Sequence, residues 1–169
     1  MTRRLILTRH AKSDWGTPGL RDFDRPLNKR GRTSARVVGA WLAEKGYRPD
    51  EVILSGAKRT VETWKGIEAA FDPAPPVRAD GDLYDASAEA ILAVLRRATA
   101  PVVMLIGHNP GFADFANRVA VAPPDHWRFR DYPTCATTVM RFPRDDWADV
   151  GWREADVIDF VVPRDLTGD

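Results

Sequence analysis

LILTRHAKSDW, residues 5–15, begins as an apolar run and ends in Arg9-His10, with Lys12 two positions on. Leu5 to Thr8 are apolar or β-branched without alternation, which suits a strand covered on both faces. A strand that merely returns to solvent turns on Gly, Asn, Asp or Ser. An imidazole flanked by cations has no part in such a turn. Two further runs end in the same way. Val52-Ile53-Leu54 leads into Ser55-Gly56-Ala57-Lys58-Arg59-Thr60-Val61-Glu62-Thr63, which puts Arg59 in the first turn of a helix. Val102–Ile106 leads through Gly107 to His108-Asn109-Pro110. In an open α/β sheet, ligands gather beyond the carboxyl ends of parallel strands, so Arg9, His10, Arg59 and His108 are expected to converge there. Two guanidiniums, two imidazoles and adjacent helix N-termini make an anion-attracting site, because the planar fork of arginine matches two phosphate oxygens at once.

Helical periodicity fills the intervals between these strands. Asn28 to Lys45 aligns Ala35, Val38, Trp41 and Leu42, with Gly46 as the residue that ends the helix. Lys58 to Phe71 aligns Val61, Trp64, Ile67 and Phe71. Ser87 caps a helix carrying Ile91, Leu92, Leu95 and Ala98, and Asn109-Pro110 reads as N-cap and first-turn proline of a helix burying Phe112, Phe115 and Val119. Thr137–Phe142 and Asp156–Val162 then predict two late strands, expected as antiparallel edges. The sum is a single domain over residues 1–169: a three-layer α/β/α sandwich around a mixed, mainly parallel sheet. The loop from Val121 to Pro133, rich in Pro, aromatics and Arg, either borders the site or packs over one end of the sheet.

Composition narrows the partners. The 169 residues are 44% hydrophobic and 29% charged, with a formal net charge of +1. That balance gives no global attraction to nucleic acid or to an anionic membrane, so anion affinity must be local. A single cysteine, Cys135, allows no intramolecular disulfide and fits a reducing compartment. The apolar stretch near the N-terminus is too short for a signal peptide or a membrane span. A cytoplasmic location is the resulting expectation.

The segments RHAK, SGAKRTVET and GHNPG, in this order, are joined by Asp22-Phe-Asp-Arg-Pro-Leu-Asn-Lys-Arg-Gly31 and Asp82-Leu-Tyr-Asp-Ala86. Together they resemble the histidine phosphatase superfamily and, within it, the short SixA-type phosphohistidine phosphatases. The likeness runs over nearly the whole chain. One departure is Arg9-His10-Ala11, where the superfamily's commonest form is R-H-G. The resemblance implies a phosphoglycerate-mutase-like fold and a two-step phosphoryl transfer. His10 would attack phosphorus, its other ring nitrogen held by a backbone carbonyl, and water would then hydrolyse the phosphohistidine. Arg9, Arg59 and His108 would hold the phosphoryl oxygens. Lys12, Ser13 and Asn109 would contact phosphate or substrate. No cofactor and no metal are implied; inorganic phosphate is the product, and the substrate is a phosphohistidine protein or a small phosphorylated molecule. A leaving-group acid, where one is needed, would come from the segment 80–85, with Asp82 as first choice and Asp85 as second.

Other readings follow from single residues. A phosphoester phosphatase would need Asp82 as its acid, while a non-catalytic phosphate-binding module would keep the pocket without turnover. Metal-dependent hydrolysis is disfavoured, since neither histidine has HxH or HExxH spacing and arginines would repel a cation. Asp22, Asp24 and Arg25 are expected to tie the loop and helix that follow to the site, and Glu62 to position an arginine. Thr60 and Thr63 read as local packing residues, His126 as an ordinary loop histidine, Cys135 as a small buried apolar residue. Trp15, Trp127, Trp147 and Trp152 read as packing residues, with Trp15 and Trp127 on loops expected near the pocket.

Overall fold

The computed structural model describes residues 2–168. Its six strands are β1 (Arg3–Arg9), β2 (Glu51–Leu54), β3 (Val77–Ala79), β4 (Val102–Gly107), β5 (Thr137–Phe142) and β6 (Asp156–Val161). They form one sheet in the order β3-β2-β4-β1-β5-β6. The four strands β3, β2, β4 and β1 run parallel, and β5 and β6 add antiparallel pairings at the β1 side. Between the strands lie α1 (Lys29–Lys45), α2 (Lys58–Glu68), α3 (Ala88–Arg96) and α4 (Gly111–Val119), with a short α5 (Pro163–Thr167) after β6.

The unbroken apolarity of the central strands is explained by helices on both faces. Successive side chains of β1 alternate between two cores. Leu5 and Leu7 join Leu105, Ile91, Leu95, Phe112 and Phe115 under α3 and α4. Ile6 joins Met104, Val38, Leu42, Trp64 and Ile67 under α1 and α2. The sandwich is therefore three-layered, as the periodicity implied. No helix among the described residues is long and apolar enough to cross a membrane.

Several details depart from expectation. Of the two late strands only β6 is an edge, because β5 lies between β1 and β6. The opposite edge, β3, has three residues that are all exposed, so no apolar run announced it. Val61 is 38% exposed; the buried face of α2 is instead turned by one position to include Thr60 and Thr63. Their hydroxyls make this possible by donating to the carbonyls of Ala57 and Arg59 at 2.7 and 2.6 Å. α4 starts at Gly111, not at Pro110. The Asn109 side chain still accepts from the Ala113 amide, but its own NH2 reaches across to the carbonyls of Asp131 and Tyr132.

Candidate active site

Strand register brings the two histidines together before any side chain takes a partner. Arg9 of β1 lies opposite Gly107 of β4, so the next residues, His10 and His108, leave the sheet as neighbours. The His10 amide donates to the Gly107 carbonyl at 2.9 Å, and the two rings stand 5.2 Å apart. On the far side of β4, Leu54 lies opposite Ile106. That sets Ser55 beside His108, with Oγ 2.7 Å from Nε2. Arg59 then arrives from the first turn of α2. Arg9, His10, Arg59 and His108 line one cavity of about 600 Å³. Lys12, Ser13, Asn109 and Trp15 line it too.

His10 is held in one chemical form. Its Nδ1 lies 2.6 Å from the Ala11 carbonyl. A carbonyl only accepts, so Nδ1 carries the hydrogen and Nε2 keeps the lone pair. Burial lowers the His10 pKa to about 3, and the Ala11 hydrogen bond opposes this shift less than burial drives it; His108, Arg9 and Arg59 lower it further. The ring is neutral at pH 7. The loop that carries it is fixed as well. The Ala11 amide donates to Thr63 Oγ1 at 2.9 Å, and the Cys135 amide lies within reach of the Arg9 and His10 carbonyls. Thr63 thus supports the loop that carries His10, a role its helical position did not announce.

His108 is lowered to about 4, by burial first and by Arg59 next. Its Nε2 shares a hydrogen bond with the Ser55 hydroxyl in which either atom can donate; when Ser55 donates, the neutral ring carries Nδ1–H, and Nδ1 has no partner among the described residues. Arg9 Nε and Arg59 Nε are buried without partners too. Unsatisfied buried donors are costly, and an oxyanion held among these three side chains would satisfy them. Burial also lowers the Arg9 pKa, ahead of the influence of its charged neighbours.

Asp22 organises the other wall. It takes Arg59 through both its backbone carbonyl (2.6 Å) and Oδ2 (2.9 Å), accepts from Arg25 at 3.1 Å, and accepts from the Tyr84 hydroxyl. The Tyr84 hydrogen bond, with Arg59 and Arg25 adding to it, holds the Asp22 carboxyl well below the usual carboxylate range despite its partial burial. Arg25 also donates to Ser13 Oγ at 2.7 Å and lies 3.5 Å from the Trp15 ring. Asp22 and Arg25 do tie their segment to the site, while Asp24 pairs with Arg21 near the surface. Gly31 permits this packing, since a Cβ there would meet the Lys12 carbonyl at 2.1 Å.

Two expectations need correcting. Asp82 does not line the cavity; its side chain is 70% exposed and sits 3.2 Å from Arg97. Asp85 lines the cavity instead, next to Tyr84. Glu62 does not position an arginine: it accepts from the Leu27 amide at 2.8 Å. The 121–133 loop divides its roles. Tyr132 packs in the core, with its hydroxyl on the Leu7 carbonyl and its own carbonyl accepting from Arg9. Trp127 lines a separate groove, whereas the following residue past the loop's end, Thr134, borders the cavity. His126 pairs with Asp165 at 2.9 Å. Cys135 is buried, as expected.

This geometry agrees with comparison to known proteins. Residues 5–91 match the histidine phosphatase superfamily (branch 1), and the chain belongs to that superfamily. An uncharacterized Mycobacterium tuberculosis protein is 32% identical over 168 residues, covering 92% of this chain and 99% of its own. An uncharacterized chloroplastic protein of Arabidopsis thaliana is 33% identical over 133 residues, a match that takes in 72% of this chain but only 61% of that protein. Among solved structures, an Agrobacterium tumefaciens protein assigned as the phosphohistidine phosphatase SixA superposes with a TM-score of 0.77 at 29% identity, covering 95% of this chain and 98% of the other. The fold is that of SixA and of phosphoglycerate mutase.

Proposed function

We propose that this chain is a phosphatase that works through a phosphorylated His10 and needs neither metal nor cofactor. One observation carries the reading: a neutral imidazole, fixed through Nδ1, sits in a cavity whose other walls supply unpartnered N–H donors. His10 Nε2 forms a bond to phosphorus as the bond to the leaving group breaks. The Ala11 carbonyl strengthens its hold on Nδ1–H as the ring gains positive character. Arg9, Arg59 and His108 meet the phosphoryl oxygens, where charge spreads in the transition state. Water then attacks phosphorus, the P–Nε2 bond breaks, and inorganic phosphate leaves with the neutral ring restored.

Phosphohistidine on a protein is the preferred substrate. An imidazole that departs from phosphorus demands less of a general acid than an alkoxide does, which fits the surface position of Asp82. The name of the Agrobacterium relative points to the same substrate class. A small phosphoester is the second reading, favoured by Asp85 on the cavity wall, where a carboxylic acid would serve.

The test is to trap the intermediate. Enzyme quenched rapidly after mixing with a ³²P-labelled phosphohistidine peptide should carry label that is lost in acid, kept in base, and absent from His10→Ala. Turnover by His10→Ala should fall on the order of 10⁴-fold or more, as for removal of other covalent nucleophiles. Acid-stable label, or a His10→Ala variant that still turns over, overturns the reading. Activity that disappears with a chelator and returns with Zn²⁺ or Mn²⁺ overturns the metal-free part of it.

A further inference from the structure

A second cavity, of about 290 Å³, adjoins the first and shares Lys12 and Thr134 with it. Four cations line it: Lys12 from the loop after β1, Arg30 from the first turn of α1, Arg128 from the 121–133 loop and Arg164 from α5. Among the described residues no Asp or Glu lines it, although the whole chain carries a net charge of only +1. Four separate segments thus concentrate positive charge on one side of the nucleophile. Asp131 pairs with Arg128 at 3.1 Å but stays outside the lining.

We propose that this groove is a substrate-recognition subsite. On the reading of the first cavity given above, it takes acidic side chains of the protein that bears the phosphohistidine, within a few residues of it. The character of the cations favours such an occupant. Arg9 and Arg59 are held by backbone and carboxylate partners inside the protein, as suits a fixed grip on one phosphoryl group. Lys12 and Arg30 are exposed, as suits a partner surface that stays largely in water and is steered in by charge. Lys12, lying between the two cavities, would meet both groups of one substrate.

Phosphohistidine peptides with two Asp or Glu residues beside the phosphohistidine should be hydrolysed with kcat/KM roughly three- to tenfold above that of peptides with Gln there, as expected for a pair of exposed ion pairs. The preference should vanish in an Arg30→Gln, Arg128→Gln double variant and in high salt, while hydrolysis of phosphoramidate by that variant stays unchanged. Equal rates for the two peptides in the wild type, or a preference that survives in the variant, overturn the subsite. So does an arginine-dependent gain seen only with a second phosphate on a small molecule. If no phosphohistidine peptide is turned over, the reading of the first cavity falls by itself. The groove is then judged on the binding of the same peptides, where equal Kd for acidic and neutral flanks overturns it.

Discussion

The ends of β1 and β4 each deliver a histidine to the same cavity, and the two are anchored through opposite nitrogens. His10 is held at Nδ1 by a carbonyl, which leaves Nε2 as a lone pair. His108 is held at Nε2 by the Ser55 hydroxyl, which leaves Nδ1 unpartnered. On the proposed mechanism, neighbouring rings in one electrostatic environment take different work, one as nucleophile and the other as hydrogen-bond donor. Second-partner identity sets the role. Removing the donor should cost less than removing the nucleophile. His108→Ala is expected to slow turnover by about 10²–10³-fold while still forming acid-labile label on His10. Ser55→Ala, which frees the His108 ring to turn, should cost roughly tenfold, and Ser55→Thr should restore most of the loss. A His108→Ala variant that forms no label at all would show that the two rings cannot be assigned separate tasks.

The same comparison has a pH consequence. The ordinary histidine pKa is 6.5, and burial takes His10 to about 3 and His108 to about 4. Between pH 6.5 and those values the unfolded chain binds protons that the folded chain refuses. Stability is therefore lost as pH falls through this window. Chemical denaturation at pH 7 and pH 4.5 should show the drop, and a His10→Asn, His108→Asn variant should show less of it. Ring ¹⁵N shifts of the free protein should meanwhile show neither imidazole titrating between pH 7 and 5. A His10 that titrates near 6.5 would contradict the fixed neutral ring from which the nucleophile is argued.

Legibility followed the physics of each element. The strand ends were readable because both-face burial writes an unbroken apolar run, and the residues that break it stand out. Arg9, His10, Arg59 and His108 meet in the cavity for that reason. β3 was hidden because a three-residue exposed edge buries nothing that a pattern can register. Ser55 and Thr63 stand within the segment SGAKRTVET, yet their tasks, holding His108 and the Ala11 amide, depend on neighbours 53 and 52 positions away. No local rule carries that information. Asn109 shows a partial success: its side chain does accept from the helix it precedes, but one residue further in and with its donors spent on another loop.

In the segment 80–85 the sequence offered Asp82 first and Asp85 second as the acid, and Asp82→Asn gives the smallest expected effect. Acidity there pointed to Asp82, but direction, which sequence spacing does not encode in a one-turn 3-10 helix, decides which carboxylate faces the cavity. Gly81–Leu83 form that turn, with Leu83 buried and Asp82 turned to Arg97 at the surface. Asp85, two residues past the buried leucine, adopts a left-handed backbone (φ 52°) and lines the cavity. Asp82→Asn should therefore leave kcat on phosphohistidine peptide and on a phosphomonoester within about twofold, as for a surface change that loses one exposed ion pair. Asp85→Asn should spare the peptide reaction, whose leaving imidazole needs little help, and slow the phosphomonoester by about 10²-fold if that carboxyl protonates an alkoxide. Equal losses on both substrates would mean that Asp85 shapes the pocket and donates no proton, and a loss confined to Asp82→Asn would return the acid to the position first read from the sequence.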